Sequence, residues 1–351
     1  MFFNLNFLKR LLKGGGLLLL LFYFSACISD GNQQQWTGLT MGTTYQVKIT
    51  HQPLSEKEVT AIKQKVDSTL VDVNRQMSTY DPQSEISRFN DFRDTVAFPV
   101  SREFNMVVKE AIAVSRLSGQ TFDITVGPLV DLWGFGKKGS RQSPPAEEEI
   151  RALMDRIGIE NLSTVDGNAL KKKIPGLNID LSAIAKGYGV DAVAAMLEKA
   201  GCENYMVEIG GEVRTRGLNA SGEAWKIGID SPGLSSLPGE DIRMILALQD
   251  VAVATSGDYR NYFEYDGKIF SHTIDPATGR PVVHDLASTT VVAKNCMKAD
   301  ALATALMVMG KDKGLTFIES VKDVEALFIT RRGKDHFDVF QSSGFKQYVF
   351  K

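Results

Sequence analysis

Residues 271–304 constrain the fold of this chain more than any other stretch, because they join a fixed turn to a helix. Pro276 and Gly279 fix the turn, and a histidine and an aspartate come just before it. The segment around Asp300 and Thr304 is rich in Ala and Leu and has no Gly or Pro before residue 310, which predicts a helix. These two residues are four apart, so their oxygens project from one helical face.

That helical face is suited to a hard cation, but a simpler interpretation stays open. A carboxylate and a hydroxyl on one side of a helix are oxygen ligands of the kind that Mg²⁺ prefers. Alternatively, Asp300 is an N-cap and Thr304 bonds back to its own helix, as these residue types often do. The spacing alone favours the simpler interpretation.

The neighbouring motifs resemble those of the ApbE family of flavin transferases. They are His272-Thr273-Ile274-Asp275-Pro276 with Thr278-Gly279, and Ala299-Asp300-Ala301-Leu302 with Thr304. Members of that family take FAD and attach its FMN half to a Thr or Ser of another protein. The resemblance runs from about Met41 to the C-terminal strands, and it implies FAD as substrate and Mg²⁺ as cofactor.

The resemblance also implies which residues form the site. His272 aligns with the catalytic histidine of the family, and Mg²⁺ ligands are expected at Asp300, Thr304 and the main-chain carbonyl of Ala183. Many relatives carry a second Asp just before that Thr, where this chain has Ala303. Contacts to FAD are expected at Met41, Tyr80, Thr121, Phe122, Asp123, Asp180, Lys186, His272, Thr273 and Ile274.

Structural interpretations of the same motifs are available without any ligand. Met41 at a strand start is typical of a core residue, and Tyr80 fits a capped turn next to Asp81-Pro82.

A strand ending at Asp180 and a helix beginning near Ser182 predict unpaired amides suited to a phosphate. A Ser-capped helix explains Ser182, but not the glycines at 187 and 189, which weaken a helix.

The N-terminus has the layout of a secretory signal rather than of a fold. A basic region precedes an apolar run over residues 17–24, which is well short of the ~20 residues that span a bilayer. The small residues before Cys27 resemble a bacterial lipobox, so Cys27 is predicted to be lipidated. An uncleaved membrane anchor is the alternative. The expected location is the bacterial cell envelope, with a lipid anchor on the periplasmic side of the inner or outer membrane.

Composition and cysteine use narrow the remaining possibilities. The 40 basic and 42 acidic residues give a net charge of −2, with no strong basic run in the mature part, so no nucleic-acid partner is expected. Cys202 and Cys296 could pair in an oxidising compartment or stay as buried thiols. No Cys/His spacing indicates zinc.

The predicted fold is α+β, with a mostly antiparallel sheet core and packed helices, T-fold-like by resemblance. Strands do not alternate regularly with helices, which argues against a doubly wound parallel sheet. The expected divisions are a signal peptide over 1–26, a polar tether over 27–35 and one catalytic domain over 36–351. A helix is expected at Glu56–Met77, the strand at 225–229 is expected to continue the main sheet, and the last strand is expected at 345–350.

The activity that the resemblance implies is Mg²⁺-dependent transfer of FMN from FAD to a Thr or Ser hydroxyl, with AMP released. Two other functions stay open: a Mg²⁺-dependent FAD pyrophosphatase, in which water replaces the hydroxyl, and a lipoprotein that only binds flavin. The expected partners are FAD, the acceptor protein and, through the lipid, a membrane.

Overall fold

The computed structural model describes residues 33–351, except 138, 142, 234–238, 240, 260, 334 and 335. Cys27, the signal peptide and the tether up to residue 32 lie outside the described residues. Within the described ranges, no helix is both long and apolar enough to cross a membrane.

The centre of the molecule is an eight-stranded antiparallel sheet. Its strands, in chain order, are β1 Gln33–Thr40, β2 Thr43–Thr50, β6 Tyr205–Ile209, β7 Glu212–Arg216, β10 Ala252–Gly257, β15 Leu286–Ala293, β16 Glu325–Arg331 and β17 Phe337–Gln341. They lie side by side in this same order, and every neighbouring pair is antiparallel. The α+β prediction with an antiparallel core is confirmed.

Smaller strand groups and the helices surround this sheet. The remaining strands are β3 Phe98–Pro99, β4 Leu162–Val165, β5 Ala169–Lys172, β8 Trp225–Asp230, β9 Ile242–Leu248, β11 Tyr262–Tyr265, β12 Lys268–Ser271, β13 Ile274–Asp275 and β14 Arg280–Pro281. The helices are α1 Glu56–Met77, α2 Glu85–Asp91, α3 Arg102–Leu117, α4 Gly127–Leu132, α5 Glu147–Met154, α6 Ala185–Lys199, α7 Cys296–Met309 and α8 Lys311–Ile318.

Both faces of the main sheet are covered, because successive side chains of a strand point to opposite sides. In β10, Ala252 and Ala254 belong to cores shared with the helices, while Val253 packs on the other side. That second side is closed by β8 and β9, whose Trp225 and Leu248 are buried there. β15 lies inside the sheet and is buried along its whole length.

Local sequence signals predict several elements well. Helix α1 has the predicted bounds, and Ser55 and Glu58 form a capping box at its start. In β2 the alternating Tyr45, Val47 and Ile49 are all buried, as their period of two predicts.

Three predicted elements differ in the structure. β8, which contains residues 225–229, pairs with β9 in a separate sheet, because its apolar face packs onto the main sheet. Residues Phe345–Tyr348 form a 3₁₀ helix rather than a strand, with Phe345 fully buried. β1 begins at Gln33, so the last residues of the predicted tether pair with β2.

The segment before α6 also differs from its prediction. No strand ends at Asp180 among the described residues; its N–H instead donates to the Ile124 carbonyl at 2.7 Å. The helix begins at Ala185, with Ile184 as its N-cap, so Ser182 does not cap it.

Candidate active site

One cavity gathers the residues that the sequence assigns to the flavin and metal sites. It has a volume of about 1200 Å³ and is lined by parts of α6, α7, β8, β10 and the β6–β7 turn. The predicted site residues that line it are Met41, Tyr80, Thr121, Phe122, Asp123, Asp180, Ala183, Lys186, His272, Thr273, Ile274, Asp300 and Thr304. The fold therefore brings together motifs that are far apart in sequence.

The start of helix α7 decides how Asp300 is used. Asn295 is the N-cap and accepts the Lys298 N–H at 2.9 Å, so Asp300 lies beyond the first turn. The Oδ2 atom of Asp300 accepts the backbone N–H of Gly187 in α6 at 2.9 Å. The simpler interpretation of Asp300 as an N-cap is therefore wrong. Thr304 lies one turn further on and also lines the cavity.

Helices α6 and α7 are tied together by hydrogen bonds in both directions. Asp191 of α6 accepts the N–H groups of Cys296 and Met297 at 3.0 and 2.9 Å, while Asp300 of α7 accepts an amide of α6. Arg214 of β7 pairs with Asp191 at 2.8 Å. A carboxylate at a helix N-terminus is stabilised by the positive end of the helix dipole. This exchange fixes where Asp300 lies relative to the start of α6.

Gly187 explains why a glycine occurs in the first turn of α6. A Cβ atom at this position would lie 2.4 Å from the Cys296 carbonyl oxygen and 2.8 Å from the Cβ of Asp300. Only glycine lets the two helix backbones approach so closely. Gly189 is less crowded, with Ile209 Cδ1 at 3.2 Å from its Cβ position.

Most amides that were expected to bind phosphate at the start of α6 already have partners. The Ala185 N–H donates to the Leu181 carbonyl at 2.7 Å, and the Gly187 N–H donates to Asp300. The expectation of unpaired amides is therefore wrong for Ala185 and Gly187, because a turn before the helix pairs the first and Asp300 of α7 pairs the second. Positive charge at this end comes from the side chain of Lys186.

The segment before α6 leaves a carbonyl oxygen available for a cation. Ala183 lies just before the N-cap Ile184, so its carbonyl is outside the hydrogen-bond pattern of the helix. It accepts no backbone hydrogen bond from the part of the chain that the structure describes. A carboxylate, a hydroxyl and a carbonyl form a hard oxygen set, which fits magnesium. The described residues contain no cluster of three His, Cys, Asp or Glu side chains suited to a metal.

Lys186 lies between two carboxylates in the cavity wall. Its Nζ is 2.6 Å from Glu212 Oε1 and 3.8 Å from Asp300 Oδ1. Burial lowers the pKa of Lys186, but the charges of Asp300 and Glu212 outweigh burial and raise the pKa above its usual value. Burial has the opposite effect on the carboxyl group of Glu212 and raises the pKa of that group. The short contact favours the ion pair, so Lys186 stays protonated.

His272 follows β12 and faces the cavity. Its backbone N–H donates to the Asn261 carbonyl at 3.1 Å, and its ring lies edge-on to Phe135 with the ring centres 6.4 Å apart. Burial lowers the pKa of His272, which favours the neutral imidazole. Its Nδ1 atom is buried and has no hydrogen-bond partner among the described residues.

An aromatic column that sequence reasoning missed supports the histidine. Trp133 stacks on Phe270 with ring centres 5.6 Å apart, and Phe263 stacks on both Phe270 and Phe135 at 5.2 and 5.6 Å. The Trp133 Nε1–H donates to the Gly279 carbonyl at 2.8 Å, so the column also holds the Pro/Gly turn. The aromatic residues of the β11–β12 hairpin, where Phe263 pairs with Phe270, were the available signal.

A second missed group is an ion pair near His272. Arg331 of β16 binds Asp258 with two hydrogen bonds, at 2.7 and 2.6 Å. The Asp258 charge raises the pKa of His272 and so opposes the effect of burial in part. Asp258 and Arg331 are far apart in sequence, so no single motif records their contact.

The carboxylates of two predicted FAD contacts accept hydrogen bonds from other groups of the protein. Asp123 accepts the Thr125 N–H and O–H, each at 2.7 Å, and the Ile159 N–H at 2.9 Å. Burial raises the pKa of Asp123, an effect that these hydrogen bonds oppose. Asp180 accepts the Ser182 N–H at 2.8 Å. Both carboxylates therefore shape the cavity wall.

The other predicted contacts are distributed from the interior to the mouth of the cavity. Phe122, Thr273 and Ile274 are buried, whereas Tyr80 is 74% exposed and lies at the mouth. Met41 adopts a φ of +50° in the turn between β1 and β2, which is uncommon for a non-glycine residue.

Comparison with known proteins identifies the family. The sequence model of the ApbE family matches residues 41–328. The chain belongs to the ApbE family. Relatives named FAD:protein FMN transferase include one from Vibrio cholerae, 46% identical over 327 residues, with 93% of this chain and 96% of the relative covered. Another, from Haemophilus influenzae, is 40% identical over 350 residues, with 97% of this chain and 98% of the relative covered.

Solved ApbE structures have the same fold. The flavin transferase ApbE from Vibrio cholerae superposes with a TM-score of 0.81 and 45% identity over 90% of this chain and 99% of that one. The flavinyl transferase ApbE of Pseudomonas stutzeri, in its apo form, has a TM-score of 0.81 and 37% identity over 90% of this chain and 96% of that one.

Proposed function

We propose that this chain transfers FMN from FAD to the hydroxyl of a Thr or Ser side chain in an acceptor protein, requiring Mg²⁺ and releasing AMP. One observation carries the proposal: His272, Lys186 and the Asp300–Thr304 face converge on one cavity in a member of the ApbE family. The name shared by the relatives supports FAD as substrate and a protein as acceptor.

The reaction needs a base for the acceptor hydroxyl, and His272 is suited to that task. The hydroxyl oxygen forms a bond to the phosphorus on the FMN side, the bond from that phosphorus to the AMP oxygen breaks, and the hydroxyl proton passes to the imidazole. A base works best when it is unprotonated at the working pH. Because burial lowers the pKa of His272, the ring is neutral and able to accept that proton.

The phosphates of FAD require positive charge at the same place. Lys186 is protonated and borders the cavity, so it supplies one such charge. Asp300, Thr304 and the Ala183 carbonyl would hold Mg²⁺. When bound, the ion would neutralise charge on the phosphoryl oxygens.

The size of the cavity supports two occupants rather than one small ligand. Pockets for drug-sized ligands measure roughly 300–1,000 Å³. The volume of about 1200 Å³ leaves room for a dinucleotide and for the side chain that receives the FMN. Tyr80 at the mouth offers an aromatic surface to either of them.

One incubation tests the proposal against its alternatives. The purified protein is mixed with FAD, Mg²⁺ and a candidate acceptor, and the products are separated on a denaturing gel and by chromatography. A fluorescent acceptor band together with AMP supports the transferase. Free FMN with AMP and no labelled protein would indicate a pyrophosphatase, and unchanged FAD would indicate a binding protein.

We further propose that the protein is lipid-anchored through Cys27 in the bacterial cell envelope, on the periplasmic side of one of the two membranes. The basic region, the short apolar run and the small residues before Cys27 support this location. A diacylated cysteine would give stable anchoring.

A further inference from the structure

The turn between β6 and β7 places a buried carboxylate beside the proposed metal site. Gly210 and Gly211 form the turn, with φ values of +60° and +103° that favour glycine, and Glu212 follows as the first residue of β7. A Cβ atom at Gly210 would lie 3.5 Å from Cδ of Lys186, so the lysine stem runs past this turn. Glu212 itself is only 2% exposed.

Only one of the two carboxylate oxygens of Glu212 has a partner among the described residues. Its Oε1 atom binds the Lys186 ammonium at 2.6 Å, and its Oε2 atom is buried without a hydrogen-bond partner among the described residues. The same ammonium lies 3.8 Å from Asp300, outside hydrogen-bond distance. Lys186 is thus held closer to Glu212 than to Asp300.

This division matters because an ammonium and a divalent cation would compete for Asp300. A lysine paired directly with that carboxylate would oppose the cation both by occupying its oxygen and by charge repulsion at short range. The Oδ2 atom of Asp300 already accepts a hydrogen bond from the Gly187 amide. Its Oδ1 atom is therefore the one for which the ammonium and the cation would compete.

We propose that Glu212 is a positioning residue that holds the Lys186 ammonium away from Asp300 and so keeps Asp300 available to the divalent cation. This inference rests on the proposed function, since it takes Asp300 as a cation ligand. In this proposal Glu212 acts through Lys186 and is assigned no direct contact with the cation or the reacting phosphate.

A purely electrostatic role for Glu212 gives a different expectation. If its negative charge only attracted the cation at a distance, its removal would weaken cation binding by the same factor whether or not Lys186 were present. If Glu212 acts by restraining Lys186, its removal would matter only while Lys186 is there. Residues in direct contact show such coupling in double-mutant cycles.

The experiment measures Mn²⁺ binding, as a paramagnetic substitute for Mg²⁺, by electron paramagnetic resonance in the absence of FAD. The proteins are the parent, Glu212→Gln, Lys186→Met, the double variant Glu212→Gln/Lys186→Met, and Asp300→Asn as the ligand control. Melting temperatures confirm that each variant is folded. Removing a group that supports a metal ligand typically weakens binding about 10- to 100-fold.

We expect Glu212→Gln to weaken Mn²⁺ binding by about tenfold in the parent and by less than about twofold in the Lys186→Met background. An equal loss in both backgrounds would overturn the inference and make Glu212 a simple charge or a ligand. Parental affinity in Glu212→Gln would overturn it as well. If the parent bound no Mn²⁺, or Asp300→Asn bound it unchanged, the proposed metal site would fail together with this inference.

Discussion

His272 and Lys186 face one cavity but are held in opposite charge states. Burial acts on both and favours the neutral form of each side chain. At Lys186 two carboxylates reverse that effect, whereas at His272 a hydrogen bond with the Asn261 backbone and the charge of Asp258 oppose it only in part. One site can therefore contain both a free base and a permanent positive charge near pH 7.

Replacement of His272 by Ala should abolish FMN transfer while FAD still binds. Loss of a general base typically costs about 10²–10⁴ in rate. The Nδ1 atom of its ring makes no hydrogen bond to the described residues, so we expect the fold to survive the loss of the side chain. Transfer is followed by the fluorescence of the acceptor, and FAD binding by equilibrium dialysis. Turnover near that of the parent would remove His272 from the mechanism.

Asp300→Asn separates the charge of this residue from its structural hydrogen bond. Asn keeps an oxygen that can accept the Gly187 N–H, but it removes the charge that attracts a hard cation. Activity should fall steeply and recover in part at high Mg²⁺, with Thr304→Val acting in the same direction but less strongly. AMP release is measured against Mg²⁺ concentration. Superimposable curves for the parent and both variants would exclude a metal on this face.

The site residues that could be predicted from sequence share one property: each lies in a short motif with local order. His272, Asp300 and Lys186 were assigned through the resemblance of such motifs to the ApbE family, and the structure places all three in one cavity. Asp191 and Arg331 were missed, because their importance arises from partners on other elements. No pattern within a single helix or strand records such a contact.

At the level of elements, helices α6 and α7 act as a unit because each supplies a carboxylate to the backbone of the other. Asp191 binds the first two amides of α7, and Asp300 binds an amide of α6. The cavity side of this pair contains Lys186, Ala183 and Thr304. A change in the distance between the helices would therefore alter the proposed cation and phosphate sites together.

Gly187→Ala tests this close approach, and Gly189→Ala is its matched control. Both changes raise helix propensity by up to about 1 kcal/mol. At Gly187, however, the new methyl group would lie 2.4 Å from the Cys296 carbonyl oxygen, whereas at Gly189 it would have its nearest contact at 3.2 Å. Gly187→Ala should lower the melting temperature by several degrees and Gly189→Ala much less. Equal melting temperatures would contradict the proposed approach.

A second element, the end of α2, depends on a buried lysine. The Lys172 ammonium donates to the carbonyls of Asn90 and Phe92, at 3.3 and 2.8 Å, and lies 4.5 Å above the Phe89 ring. Asn90 in turn exchanges hydrogen bonds with the backbone of Ile179, and both line the cavity. Lys172 thus supports the cavity wall from behind.

Lys172 should make the free energy of unfolding of the protein depend on pH. Burial lowers the pKa of Lys172 to about 8 from 10.5, so above pH 8 the folded protein loses this proton before the unfolded chain does. The free energy of unfolding therefore gains roughly 2 kcal/mol from this group between pH 7.5 and 9.5. Urea titrations of the parent and Lys172→Met measure the difference. A constant difference across this range would contradict the lowered pKa.

Elements with a strong internal period were predictable, and those defined by their neighbours were not. The bounds of α1 follow from its apolar spacing and its capping box. β8 has a strand pattern, but nothing in that pattern distinguishes pairing with β9 from pairing with the main sheet. Phe345 reads as part of a strand, yet it is buried at the start of a 3₁₀ helix.

At the level of the whole molecule, the proposed lipid anchor would hold the catalytic domain close to a membrane. β1 is an edge strand of the main sheet and begins at Gln33, so only residues 28–32 separate it from Cys27. An extended chain spans at most about 3.6 Å per residue, which limits the separation to roughly 20 Å. Acceptor proteins at the same membrane would then be favoured by proximity.

Cys27→Ala tests this arrangement without touching the cavity. The variant should stay unprocessed or become soluble, because the lipid attachment point is gone, while the purified protein should label a soluble acceptor at the parental rate. In cells, labelling of a membrane-bound acceptor should fall, since its effective concentration is lost. Fractionation, gel mobility and acceptor fluorescence are compared for parent and variant, with Cys202→Ala as the control for loss of a thiol. If Cys27→Ala fractionates and migrates like the parent, the lipid anchor is excluded.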